Sequence, residues 1–283
     1  MRGWLSGLLV AVICLVSLPV QACTLWSANG NLVAGGGTML VKNRDWIPNQ
    51  HEIIKLAVPK TGYRYLGLYA EGKYPGFKAG INEQGLVIVS ATAGSIPAVE
   101  RRAMPHTSGL LVRLLNECST VDEALARTDL FLGPEILMLA DQHKVAAVEI
   151  GPEGKYQIEV KQNGAIYHTN HYVYEDMVNL NRTIGESSQA RYDRIGQLLS
   201  IAAKPYAFAD FLSFSTDQNA GPDNSIFRVG STPTKTRTMA VWAVKLPPEG
   251  SPEVYVRILN PDEAERVFQF KAADVFNGNT GID

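Results

Sequence analysis

Cys23 follows Val20-Gln21-Ala22, and ahead of that triplet Leu8 to Leu18 is a nearly unbroken apolar run preceded by Arg2. A basic start, an apolar run and a small-residue triplet are the marks of an export signal that is cut away. Cleavage after Ala22 makes Cys23 the first residue of the remaining chain, with a thiol and a free α-amine on one residue. In model compounds the amine titrates at about 7.7–8.0 and the thiol at about 8.5. Near neutral pH the amine can therefore take the thiol proton, so one residue supplies nucleophile and base for attack on a carbonyl. Two plainer uses compete. A cysteine just after a signal can be acylated by lipid, although Gln21 fits poorly with the small or β-branched residue usual there. Cys23 can instead pair with Cys118, although a chain of this length does not need one bridge for stability.

Asn43-Arg44-Asp45-Trp46 closes an apolar strand, where a charged pair needs a reason. It reads either as a solvated surface ion pair of little energetic value or as a partner of Cys23. In the second reading the Asp45 carboxylate accepts a hydrogen bond from the α-ammonium or the substrate amide and orients the nucleophile. His168 and His171, with Glu175, are the residues that suggest a metal. Their surroundings read as strand then turn, without a zinc-binding helix signature, so the two histidines are expected to be structural. No metal and no cofactor are expected.

These residues sit in a chain of 283 residues with formal charge −2. That leaves ample material for a core, and the charge gives no reason to expect nucleic acid. Beyond the leader no apolar run reaches the roughly 20 residues of a membrane span. Cys14 leaves with the leader, so Cys23 and Cys118 are no disulfide framework. The expected organisation is a signal peptide over 1–22 and one domain over 23–283, with the product exported, periplasmic or secreted.

From Cys23 to about Ser90 the text is strand-like, with runs at Thr38–Lys42, Glu52–Ala57, Tyr63–Tyr69 and Leu86–Ser90. Asn29-Gly30-Asn31 suits a tight turn between the first two strands. Gly35-Gly36-Gly37 precedes no helix and is not a phosphate loop. Leu110, Leu111, Leu114, Leu115 and Cys118 recur at helix spacing, which makes Cys118 an apolar filler. Thr120 and Glu123 form a capping box for a following helix. Strands are expected again at Ile136–Ala140, Val145–Ile150, Tyr156–Val160 and Ala165–Thr169. Tyr192, Ile195, Leu198, Leu199 and Ala202 mark a helix, and a shorter one covers Ala207–Phe214. Strands at Thr238–Val244, Glu253–Leu259 and Arg266–Phe270 close an α+β order.

Cys23-Thr24, then Lys42-Asn43-Arg44-Asp45-Trp46, Gly80-Ile81-Asn82-Glu83-Gln84-Gly85-Leu86 and Thr169-Asn170-His171 resemble the linear-amide C–N hydrolases with an N-terminal nucleophile. That group includes choloylglycine hydrolases, penicillin V acylases and the acyl-coenzyme A:6-aminopenicillanic acid acyltransferases. The likeness runs from Cys23 to about Leu259. It implies a four-layer αββα sandwich of two antiparallel sheets. It matches the family nucleophile to Cys23, the carboxylate that holds the amino terminus to Asp45, and the side-chain oxyanion donor to Asn170. Counting on from the Asn82 turn puts the second, main-chain oxyanion donor at Thr92. Asn82 itself joins the substrate or charge-partner candidates. Many relatives have Arg where this chain has Lys42, with Arg44 beside Asp45, and Lys lacks the planar fork of Arg. The later family arginine is Arg191 or Arg228, with Arg228 preferred because it precedes the strand-rich tail.

The resemblance thus implies an exported cysteine amidohydrolase acting on a linear N-acyl amide, a small-molecule partner, in a chain able to form a dimer or tetramer. The alternatives are a lipid-anchored binding protein without chemistry and an acyltransferase using the same thioester. Bile salts, phenoxyacetyl penicillins, N-acyl homoserine lactones and acylated amino acids all fit the reaction type.

Overall fold

The computed structural model describes residues 22–282. The export-signal reading of 1–22, apart from Ala22, lies outside the described residues.

The chain runs through β1 (Ala22–Asn29), β2 (Thr38–Trp46), β3 (Gln50–Ala57), β4 (Tyr65–Gly72), β5 (Gly76–Asn82) and β6 (Val87–Thr92). Three helices follow, α1 (Ala98–Ala103), α2 (Leu110–Glu117) and α3 (Val121–Ala126). Then come β7 (Glu135–Ala140), β8 (Val145–Ile150), β9 (Tyr156–Lys161), β10 (Gly164–His168), α4 (Glu186–Ile201), α5 (Phe208–Phe214) and α6 (Gly221–Asn224). The end is β11 (Arg237–Leu246), β12 (Glu253–Ile258), β13 (Arg266–Lys271) and α7 (Ala272–Phe276).

These strands form two sheets, one ordered β10-β1-β2-β11-β12-β13 and the other a meander from β3 to β9. Every neighbouring pair is antiparallel. Leu25, Leu40, Trp242 and Val256 of the first sheet meet Val89, Met138 and Ala147 of the second in one buried cluster. On the far side of the second sheet, Leu111, Leu114, Leu115 and Cys118 cover Ile88, Leu137 and Val148. On the far side of the first, Ile195, Leu199, Phe211 and Phe214 cover Trp26, Val41 and Val241. Helix, sheet, sheet and helix are therefore the layers, as the resemblance implies. Strands covered on both faces need apolar residues on both faces, which is why β1 is buried throughout.

Two local expectations are corrected. No tight turn joins β1 to β2. Residues 30–37 form a longer loop closed by Gly30 N–H donating to the Gly37 carbonyl at 3.0 Å. Asn29 is unavailable to a turn because its amide bridges to the Lys161 carbonyl (2.9 Å) and its oxygen accepts from Gly164 N (3.1 Å). Gly37 has φ +79°, and a Cβ there would lie 2.1 Å from the Leu246 carbonyl, so only glycine fits. The second correction is β5, unforeseen because its glycines hide the alternation. A Cβ on Gly80 would sit 2.4 Å from the Phe77 ring, which lies across it. The Thr120 cap is present, with Oγ1 accepting from Glu123 N at 3.2 Å. Glu123 Oε2 reciprocates by accepting from Ser119 N at 2.7 Å.

Candidate active site

The pairing of β1 with β2 sets Cys23 opposite Arg44 and Ala22 opposite Asp45. Successive side chains of a strand leave opposite faces, and that alternation divides the site in two. Cys23, Lys42 and Arg44 point between the sheets and line a cavity of about 290 Å³. Thr24, Asn43 and Asp45 point toward the layer of α4 and α5.

On the helix side the main chain of Cys23 is held at both ends. Its N–H donates to Asn170 Oδ1 at 2.8 Å, and its carbonyl accepts from Arg191 at 2.5 Å. Arg191, on α4, also donates to Thr24 Oγ1 (2.8 Å) and Asn170 Oδ1 (3.1 Å). Burial, against the pull of the Asp45 charge, brings its guanidinium down to about 10, still charged at neutral pH. Asn170 Nδ2 donates to the Thr92 carbonyl at 2.9 Å, leaving one N–H of that amide over. The observed contact of Thr92 with Asn170 is thus through its carbonyl.

Asp45 is fully buried. Its Oδ1 accepts from Thr238 Oγ1 at 2.9 Å, while Oδ2 has no hydrogen bond among the described residues and faces Arg228 at 3.9 Å. Burial raises its pKa, against the opposing pull of Arg228, Arg191 and the Thr238 hydroxyl. The two arginines offered by the sequence thus hold different places. Arg191 grips the nucleophile's main chain; Arg228 flanks the carboxylate.

On the inter-sheet side, Lys42 Nζ donates to the carbonyls of Lys78 and Ser90, each at 2.7 Å. Burial, outweighing the attraction of Cys23, lowers its pKa. Arg44 donates to Gln50 Oε1 at 3.0 Å, stands 3.5 Å from Glu52 and lies over the Trp46 ring. Asp45 is therefore not its ion-pair partner; Arg44 reaches only the Asp45 carbonyl, at 2.6 Å.

Asn82 stands apart from this assembly and is corrected as a substrate or charge partner. Its Nδ2 donates to the Leu115 and Cys118 carbonyls and its Oδ1 accepts from Gln84 N and Leu86 N. All its hydrogen-bonding capacity is spent on tying the turn to the end of α2. His168 and His171 are also committed. His168 Nε2 meets Glu149 Oε1 at 2.7 Å, and His171 Nδ1 meets Ser188 Oγ at 2.8 Å. Glu175 is exposed. Among the described residues no group of three or more His, Cys, Asp or Glu could hold a metal ion, and no helix is long and apolar enough to cross a membrane.

Ser188, Thr238, Glu149 and Lys78 were not singled out from sequence. Ser188 Oγ accepts from Asn170 N at 3.0 Å and so sets the loop that carries the asparagine. A second cavity, of about 740 Å³, opens beside Ala22 and is lined by Asn170, Ser188, Arg191, Arg228 and Lys235. The Cys23–Asn170 contact lies between a small polar chamber and a larger one.

No curated protein matches the chain. Penicillin V acylase from Agrobacterium tumefaciens superposes with a TM-score of 0.51 at 16% identity, covering 89% of this chain and 86% of that one. A variant of conjugated bile acid hydrolase from Clostridium perfringens gives 0.48 at 14% identity, covering 89% and 93%. The profile of the acyl-coenzyme A:6-aminopenicillanic acid acyl-transferase family matches residues 33–255, well over half of the sequence. The chain belongs to that family, within the superfamily of N-terminal-nucleophile hydrolases.

Proposed function

We propose that this protein is an exported cysteine amidohydrolase that cleaves a linear N-acyl amide through a thioester on Cys23, once residues 1–22 have been removed. The observation that carries this reading is the grip on the Cys23 main chain, with its nitrogen on Asn170 Oδ1 and its carbonyl on Arg191. A nucleophile whose own amine is the base needs that amine fixed, and little else in a strand would call for a buried arginine and asparagine on the main chain of one residue.

The steps follow from the residue types. The α-amine takes the thiol proton and Sγ bonds to the amide carbon. The carbonyl oxygen becomes negative, and the spare N–H of Asn170 is the side-chain donor for it. Such donors commonly lower a barrier by about 2.7–4 kcal/mol. The C–N bond breaks as the ammonium returns its proton to the leaving amine. Water then attacks the thioester and gives its proton to the same amine; the C–S bond breaks, the acid leaves, and the ammonium returns the proton to the Cys23 sulfur. Ala22 occupies the wall of the larger cavity next to the Cys23 nitrogen. That cavity is therefore assigned to the amine half, and the cavity lined by Cys23 itself to the acyl half.

Intact mass and acyl trapping test the proposal. The purified exported protein should begin at unmodified Cys23, and brief incubation with an N-acyl substrate followed by acid quench should add the acyl mass to that residue. A diacylglyceryl adduct on Cys23, or an acyl mark on Cys118, refutes it. Acyl transfer is a second reading, which the family membership favours. Added small amines should then divert the thioester into new amide at the expense of free acid.

A further inference from the structure

Of the residues that line the Cys23 chamber, two are exposed, Tyr74 and Pro75. Cys23 itself is only 5% exposed. Tyr74 and Pro75 stand at the tip of the β4–β5 hairpin, beyond the end of the ladder. β4 pairs with β5 as far as Ala70 opposite Gly76, and with β3 as far as Gly72 opposite Gln50. The three residues between, Lys73, Tyr74 and Pro75, are flanked by Gly72 at φ +113° and Gly76 at φ +139°. Such torsions suit glycine and strain other residues. A short segment outside any ladder, with a glycine at each end, can swing as a unit about those two positions.

Two contacts hold the tip down. The Tyr74 ring stands edge-on to Trp46 with centroids 5.7 Å apart, and the Tyr74 carbonyl accepts from Gln50 Nε2 at 2.8 Å. Gln50 is buried, and its Oε1 accepts from Arg44 at 3.0 Å. A guanidinium can only donate, so the orientation of the Gln50 amide is set and its N–H is turned to the tip. Arg44 in turn lies over Trp46 and pairs with Cys23 across β1 and β2. The nucleophile's strand neighbour, Gln50 and the tip are one connected chain of contacts. We propose that residues 73–75 are a hinged cover over the Cys23 chamber and that Gln50 is the positioning residue that latches it, through its amide on the Tyr74 carbonyl. Closure shuts bulk water out of the chamber and opening admits molecules to Sγ. The cover governs access to the thiol and does not depend on which bond the thiol attacks.

Alkylation of the native protein by reagents of different size tests the cover without turnover. Modification of Cys23 by iodoacetamide and by a pyrene-bearing maleimide, both neutral, is followed by peptide mass. Cys118, buried under α2 on the far side of the second sheet, reports any general loosening. Gln50→Glu keeps an acceptor for Arg44 and loses the donor to Tyr74. It should raise the maleimide rate at Cys23 by at least about fivefold, the weight of one hydrogen bond in an opening equilibrium, and raise the iodoacetamide rate less. Tyr74→Ala removes the ring contact with Trp46 at an exposed position. It should act in the same direction and serves if Gln50→Glu misfolds. The Cys118 rate should not change in either variant. An equal rise for both reagents, no rise in either variant, a rise at Cys118 in step with Cys23, or no reaction of Cys23 with either reagent overturns the proposal. Absence of an acyl mark on Cys23 after incubation with N-acyl substrates would refute the amidase reading and leave these rates as they are, so the two can fail separately.

Discussion

Asp45 and Glu149 are both fully buried carboxylates, and both lie close in space or sequence to the Asn170 segment. They are treated in opposite ways. Glu149 Oε1 takes His168 Nε2 at 2.7 Å and Val173 N at 2.6 Å, and Tyr174 N approaches both of its oxygens. Thr169 N donates to His168 Nδ1 at 3.0 Å, which fixes the tautomer with its proton on Nε2, toward Glu149. That carboxylate is saturated. Asp45 has one donor, Thr238, and an open oxygen. A buried carboxylate is normally satisfied because leaving it short costs several kcal/mol. The difference separates a group that holds the loop from a group with an open oxygen, which under the proposed function receives the α-ammonium of the processed chain.

The sharpest way to break this comparison is Asp45→Asn. Turnover should fall by roughly 10²–10⁴, the range for losing control of an acid–base group. A nearby carboxylate favours the ammonium form, so its removal lowers the amine pKa and moves the acidic limb of the rate profile to lower pH. Asn170→Ala should cost roughly 10²–10³ in kcat with little change in KM, because the donor acts mainly on the charged oxygen. Its limb should stay in place. A shifted limb for Asn170→Ala and an unshifted one for Asp45→Asn would reverse the two assignments.

Glu149→Gln belongs on the other side of the contrast. It should lower stability by roughly 2–4 kcal/mol in urea unfolding, while the molecules that remain folded keep their rate profile. Last and smallest is a pH effect at His171. Burial, with His168 and Arg191 nearby and only Asp193 opposing, pulls this ring down to about 4 from 6.5. A depressed folded value means the native state binds the proton less readily than the unfolded chain. The stabilisation is complete above the unfolded value and is lost as pH falls from 6.5 through about 4. Urea midpoints across that window should flatten in His171→Asn.

The comparison also shows what could be read from the chain itself. β8 was legible residue for residue, and Cys118 was legible as core, because both signals are periodic and local. Cys23, Asp45 and Asn170 were legible through the resemblance and do cluster. What stayed hidden is long-range. Whether Arg191 or Arg228 meets Cys23 depends on how α4 lies across β1, and nothing in either local sequence encodes that crossing. Asn82 was misread because an asparagine satisfied by four main-chain groups looks, in sequence, like one free to bind a ligand. Lys78 gave no signal at all, since a single lysine in a strand usually means a solvated edge.

One detail of β11 has a wider consequence. Its pairing with β2 slips between Thr238 and Ala240, so that Thr238 comes to stand opposite Asp45. The Thr238 oxygen accepts from Arg228 N at 2.9 Å and its hydroxyl donates to Asp45 Oδ1 at 2.9 Å. A hydroxyl has one proton, so this chain of bonds has a fixed direction, from the Arg228 amide through Thr238 into the carboxylate. With the Thr238 hydroxyl donating to Oδ1, the open site for a proton on this carboxylate is Oδ2. Met239 is the extra residue of that slip. Deleting it would leave Thr238 next to Ala240 in a regular ladder, still opposite Asp45, so the register survives and only the local bend of β11 is lost.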